Sequence, residues 1–205
     1  MKTEILRADH PIALSHTQDV LNHGGLVVFP TDTVYGLAAS LNNPQAVEGL
    51  FIVKGLGSEK AVAVLIGKIE ELDLLARNVS PAARRLVQRF WPGPLTVLVA
   101  GNPRLLSPLI PQGIVGLRMP DHPFALELLR RTGPLAVTSA SGMGRELPRT
   151  AREALQQLNG RVHLVIDGGA ATHGVYSTVV DCTGPEIALV RKGAIAEDKL
   201  LLALE

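Results

Sequence analysis

Eight short aliphatic runs, each closed by proline, glycine or a cluster of hydroxyls, restrict this chain to folds built on a sheet. They fall at 25–30, 61–67, 95–100, 113–119, 134–139, 162–167, 177–182 and 186–191. Runs of that length and β-branched content read as strands. The last two flank Thr183-Gly184-Pro185, which predicts an antiparallel hairpin. Helices begin between the runs at Asn43-Pro44, at Ser80-Pro81, after Asp121 and after Thr150. At such positions a short polar side chain caps free backbone N–H groups, and proline fits the first turn. The alternation is irregular and the strand count high, which predicts an α/β fold: one twisted, open mixed sheet with flanking helices.

At 205 residues the chain suits a single domain, 1–205, and no linker or repeat divides it. Apolar residues make up 46% but aromatics only 3%, so the core must be aliphatic. The glycine-rich stretch 168–174 reads as a mobile loop inside the domain. The net charge of +1 excludes a strong field over the whole molecule, but not a local basic concavity. A lone cysteine, Cys182, excludes a disulfide framework and a zinc cluster. No run reaches the roughly 18 apolar residues of a membrane helix. The expectation is a soluble, cytoplasmic protein that uses no membrane.

Candidate chemistry sits where strands end. Leu26 to Leu37 is a buried-strand pattern stopped by Pro30 and followed by Thr31, Asp32, Thr33 and Tyr35. Such a loop fits a binding edge, or a strand exit whose hydroxyls cap local backbone. Lys54 to Lys60 holds two lysines among glycines, which fits a phosphate clamp or a solvated loop. Thr138, Ser139 and Ser141 close another apolar run with hydroxyls able to donate to phosphate. Arg118 lies inside a strand, where it needs an anionic ligand or an internal salt bridge. The histidines show no metal spacing, and neither a P-loop nor a complete dinucleotide fingerprint occurs.

Taken in order, seven segments resemble the YrdC-like family of threonylcarbamoyl-adenylate synthases. They are Pro30-Thr31-Asp32-Thr33-Val34-Tyr35-Gly36-Leu37, Trp91-Pro92-Gly93-Pro94-Leu95-Thr96, Arg118-Met119-Pro120-Asp121-His122-Pro123, Thr138-Ser139-Ala140, Asp167-Gly168-Gly169, Ser177-Thr178-Val179-Val180-Asp181 and Arg191-Lys192-Gly193. The resemblance implies a concave, positively lined cavity on the sheet. It also implies an enzyme joining L-threonine, bicarbonate or CO₂, and ATP with Mg²⁺ into threonylcarbamoyl-adenylate for tRNA modification. By the match, Lys54, Lys60 and Arg118 are catalytic, and Thr31, Thr33, Tyr35 and Thr138 hold threonine. Lys54, Ser139, Ser141, Ser177 and Arg191 face the nucleotide, and no protein metal site is expected. Partners implied are tRNA or double-stranded RNA and the downstream threonylcarbamoyl-transferase proteins.

The chain departs from the family pattern twice. The basic Lys-x-Arg motif reads Lys54-Gly55-Leu56, and its Ser-x-Asn partner reads Ser139-Ala140-Ser141. Leu56 cannot donate where a guanidinium grips two oxygens, and Ser141 lacks the paired carbonyl and amide of Asn. Two readings follow. One is a synthase in which Lys60, Arg118, Arg191 or Arg145 takes up the lost charge. The other is a YciO-like homologue of weak or altered activity that binds nucleotide or RNA.

Overall fold

Residues 2–55, 62–102, 113–142 and 144–204 are described by a computed structural model. Among these residues, ten strands form one open sheet in the order β1-β8-β2-β3-β7-β4-β6-β5-β9-β10. They are β1 (Glu4–Arg7), β2 (Val27–Phe29), β3 (Gly36–Ser40), β4 (Ala63–Leu65), β5 (Leu95–Ala100), β6 (Ile114–Arg118), β7 (Leu135–Ser139), β8 (Leu164–Asp167), β9 (Thr178–Asp181) and β10 (Ala188–Arg191). The sheet is mixed: β8 runs parallel to both β1 and β2, β3 is antiparallel to β2 and β7, and β9 and β10 form the expected antiparallel pair.

Among the described residues, seven helices flank it: α1 (Ala13–Asn22), α2 (Pro44–Lys54), α3 (Glu71–Leu75), α4 (Pro81–Phe90), α5 (Pro123–Thr132), α6 (Ala151–Leu158) and α7 (Glu197–Leu202). Asn43, Ser80 and Thr150 cap α2, α4 and α6 through side-chain oxygens, as their sequences predict. The cap expected of Asp121 is not made. His122 precedes α5 instead and supplies no side-chain cap, so Pro123 alone starts that helix.

Alternation along the strands sends side chains to two aliphatic cores, one per face. On one face, Val28, Leu37, Val64, Val97, Leu117, Ala136 and Val165 pack beneath α2, α4 and α6. On the other, Val27, Phe29, Ala38, Leu135 and Leu164 pack beneath α1 and α5. That second layer runs from the β1 end of the sheet as far as Leu65 on β4, and the main cavity opens beside it on the same face.

The stretch 168–174 is not the free loop that its glycines suggest. Its backbone is tied to the loop after β2 through His173 N–H to Asp32 O at 2.9 Å and Gly174 N–H to Thr33 O at 2.8 Å. Ala171 N–H binds Arg149 O at 2.8 Å. Satisfied backbone groups, rather than composition, decide its order.

Candidate active site

A cavity of about 630 Å³ opens on the face that α1 and α5 leave bare. Its floor follows the two-residue period of the strands: Ala63 and Leu65 on β4, Gly116 and Arg118 on β6, Thr96 and Leu98 on β5, Val137 and Ser139 on β7. Small and apolar residues thus make the middle, while polar groups stand at the walls.

The first wall centres on Arg118. Its Nη2 binds the Asp32 carboxylate, Nη1 donates to Thr33 Oγ1 at 2.8 Å, and Nε donates to Gly93 O at 3.0 Å. The ion pair is sealed, with side-chain exposures of 7% and 4%. Of the two sequence alternatives for Arg118, the internal salt bridge is therefore present, and the same arginine also lines the cavity. Burial opposes the Arg118 charge and Asp32 supports it. Thr31 Oγ1 donates to Val34 O at 2.7 Å and lies 3.0 Å from Thr33 Oγ1, which locks the loop. Asp32 Oδ2 and His122 Nδ1 are buried without a hydrogen-bond partner.

The second wall carries Lys54. Its ammonium, at the end of α2, meets Ser139 O at 2.8 Å, Ser141 O at 2.5 Å, Ser139 Oγ at 3.3 Å and Ser141 Oγ at 3.2 Å. Three N–H groups thus serve four oxygens, and the lysine organises the turn after β7. Burial pushes the Lys54 ammonium down to about 8. The third wall comes from the end of the chain. Arg191 lies over the Tyr176 ring at 4.5 Å and donates to Ser177 O and Ser177 Oγ, each at 3.1 Å. Ser177 Oγ also lies 2.8 Å from Thr96 Oγ1. Gly193 explains its place in the Arg191-Lys192-Gly193 segment, because a Cβ there would sit 2.4 Å from the Ser177–Thr178 backbone.

Thr31, Thr33, Tyr35, Lys54, Arg118, Thr138, Ser139, Ser177 and Arg191 therefore line one cavity. Ser141 stands behind Lys54, while Lys60 and Leu56 lie outside the described residues. Sequence reasoning missed Asp32 as the partner of Arg118, along with Thr96 and Tyr176. Each belongs to a quoted segment or adjoins one, so only proximity across the sheet was missing. Among the described residues, no cavity-lining carboxylate and no metal-holding group of His, Cys, Asp or Glu occurs.

The sequence profile of the Sua5/YciO/YrdC family, described as Telomere recombination, matches residues 19–193. The chain belongs to that family. A Bacillus subtilis protein named Threonylcarbamoyl-AMP synthase is 37% identical over 201 residues, 97% of this chain and 58% of the relative. Pyrococcus abyssi Sua5, solved in complex with L-threonine, superposes with a TM-score of 0.89 at 32% identity, over 98% of this chain and 60% of that one. E. coli YciO superposes with a TM-score of 0.85 at 25% identity, over 95% of this chain and 97% of that one. The chain thus spans less than two thirds of the B. subtilis and P. abyssi relatives.

Within this member of the Sua5/YciO/YrdC family, Lys54 links pH to stability and to cavity charge in opposite directions. Its folded pKa, about 8, lies below the ordinary 10.5, so between those values the unfolded chain binds the extra proton. Stability therefore rises with pH across that window. Over the same window the cavity loses a cation, so affinity for a polyanion falls. Urea midpoints and affinity for inorganic triphosphate measured from pH 7 to pH 10 are expected to move oppositely, and Lys54→Met is expected to flatten both trends.

Proposed function

We propose that this protein is a threonylcarbamoyl-AMP synthase acting as one domain, 1–205, upstream of tRNA threonylcarbamoylation. The observation that carries this reading is the cavity itself: three cationic side chains on separate walls around an apolar floor, within a family whose B. subtilis member is named Threonylcarbamoyl-AMP synthase. Arg118 is already neutralised by Asp32, whereas Lys54 and Arg191 have no carboxylate partner among the described residues. Two cations left uncompensated in a partly closed site favour a phosphate chain, and the apolar floor suits an adenine ring.

In this reading, threonine binds near Thr31, Thr33 and Thr138, on the Arg118 side of the cavity. Its amine, freed of a proton, takes up CO₂ to give a carbamate. A carbamate oxygen then attacks the α-phosphorus of ATP, the bond to the β-phosphate breaks, and pyrophosphate leaves. Catalysis by the chain consists of holding the two reactants in line and stabilising charge on the phosphoryl oxygens. Arg191, Ser177 and Ser139 supply the donors, with Lys54 holding the Ser139–Ser141 turn. With no carboxylate among the described cavity residues, Mg²⁺ accompanying ATP would be held by phosphate oxygens, water and hydroxyls. Its chemistry is to neutralise the phosphate chain. No described helix is long and apolar enough to cross a membrane, which agrees with work in the cytoplasm beside tRNA and the transferase that consumes the product.

The test is threonine-dependent pyrophosphate release by the purified chain with ATP, Mg²⁺ and bicarbonate. Release that requires both threonine and bicarbonate is expected. No release above background at high enzyme concentration would sink the synthase reading. It would favour the second one, a YciO-like nucleotide- or RNA-binding protein, which the full-length match to YciO and the Ser141 departure support. RNA contact by Arg145, Arg149, Arg152 and Arg161 should then weaken steeply with salt.

A further inference from the structure

The connection from β8 to β9 has to cross most of the sheet. Six strands separate the two in the sheet order. On a flat sheet, seven steps of about 4.8 Å amount to roughly 34 Å. Ten residues, 168–177, reach about 33–36 Å only when fully extended. The segment is not extended, since Gly169 and Gly174 take φ of +84° and +66°. The sheet therefore coils so that its ends approach, and the segment is a short strap between them. At its far end, Tyr176 and Ser177 enter the cavity and receive Arg191.

Tyr35 holds the near end. Its hydroxyl donates to Gly169 O at 2.7 Å and accepts from Gly168 N–H at 3.2 Å. The residue has no exposed surface, and its own backbone is pinned by Tyr35 N–H to Pro148 O and Ala140 N–H to Tyr35 O, at 3.0 and 2.8 Å. Both hydrogen-bonding roles of the phenol are thus spent on the strap rather than on a ligand. From there the strap runs over the loop after β2, bonding to Asp32 O and Thr33 O, before it reaches the opposite wall. The contact joins the two sides of the cavity through one short, tethered chain.

We propose that Tyr35 is a positioning residue for the nucleotide side of the cavity: its hydroxyl anchors the strap 168–177 and so sets Tyr176, Ser177 and Arg191. This rests on the synthase reading, and it moves Tyr35 from the threonine side, where the family resemblance places it, to the support of the far wall.

Tyr35→Phe in the full chain tests the proposal, with Gly174→Ala as an independent disturbance. A Cβ at Gly174 would meet Arg149 Nε at 2.6 Å on a backbone that already favours glycine. Amide hydrogen exchange across 168–177 is expected to quicken at least tenfold in both variants. The KM for ATP is expected to rise about five- to tenfold, with the KM for threonine within twofold of wild type. Unchanged exchange overturns the anchoring role. A change confined to the KM for threonine overturns it too, and returns Tyr35 to the substrate. Binding of a non-hydrolysable ATP analogue separates the two claims. A wild type that does not bind it overturns the synthase reading and this proposal with it, and a Tyr35→Phe variant that binds as well as wild type overturns the positioning role alone. Should Tyr35→Phe fail to fold, the Gly174→Ala result decides.

Discussion

Asp32→Ala is expected to unfold well below the wild-type temperature and to lose the proposed synthase activity. The substitution strands the Arg118 guanidinium in a site that water barely reaches, with only Thr33 Oγ1 and Gly93 O left to receive it. Removing one member of a buried ion pair costs about 3–5 kcal/mol, because the survivor remains desolvated without its counter-charge. For a domain of this size each kcal/mol moves the midpoint by about 2–4 °C, so a fall of roughly 6–20 °C is expected by calorimetry. Asp32→Leu combined with Arg118→Met should recover most of the stability, since an apolar pair of similar volume is often as stable as the ions. Activity should stay lost, because Arg118 is also a cavity residue. A double variant as unstable as the single one would show that the pair matters for shape rather than charge.

Leu56→Arg with Ser141→Asn is expected to raise threonine-dependent pyrophosphate release about ten- to a hundredfold. Leu56 lies outside the described residues, but Ser141 is buried behind Lys54, with its hydroxyl 3.1 Å from Ser139 Oγ. An added hydrogen bond to a charged group is worth about 1.5–3 kcal/mol, and each 1.4 kcal/mol is tenfold. The single changes should yield much less than the pair, because an arginine without its amide partner, or the reverse, completes no contact. If the double variant turns over at the wild-type rate, the two departures do not limit turnover and another group carries the charge.

The sheet was largely legible because its strands are aliphatic runs with clear stops, and 95–100 and Leu135–Ser139 fall where the runs lie. What escaped did so for physical reasons. Gly36–Ser40 reads Gly-Leu-Ala-Ala-Ser, which has no strand preference, and it becomes one because β2 and β7 offer a ladder on each side. Helix α1 has no side-chain cap and buries only Ala13, Thr17 and Leu21, with the Thr17 hydroxyl turned back onto Ala13 O. Strand β1 has four residues, too few for a period to show. The cavity walls were legible as separate segments, but the pairing of Asp32 with Arg118 was not. That contact joins residues 86 positions apart, and one sequence holds no record of such distances.

The partnership of β1 with β8 also sets a schedule for synthesis. Glu4 aligns with Leu164 and Arg7 with Asp167, so β1 waits for its neighbour while roughly 160 further residues are made. At the roughly 5–20 residues per second of a ribosome, that wait is about 8–30 s. The same late strand gives β2 its second neighbour, so two N-terminal strands stay incomplete until β8 inserts between them. During that interval Ile5 has no ladder and Val27 has only its β3 side, and the nascent chain is open to mispairing. The decisive event for this edge of the sheet is thus the insertion of one strand, which joins β1 and β2 to a segment made much later.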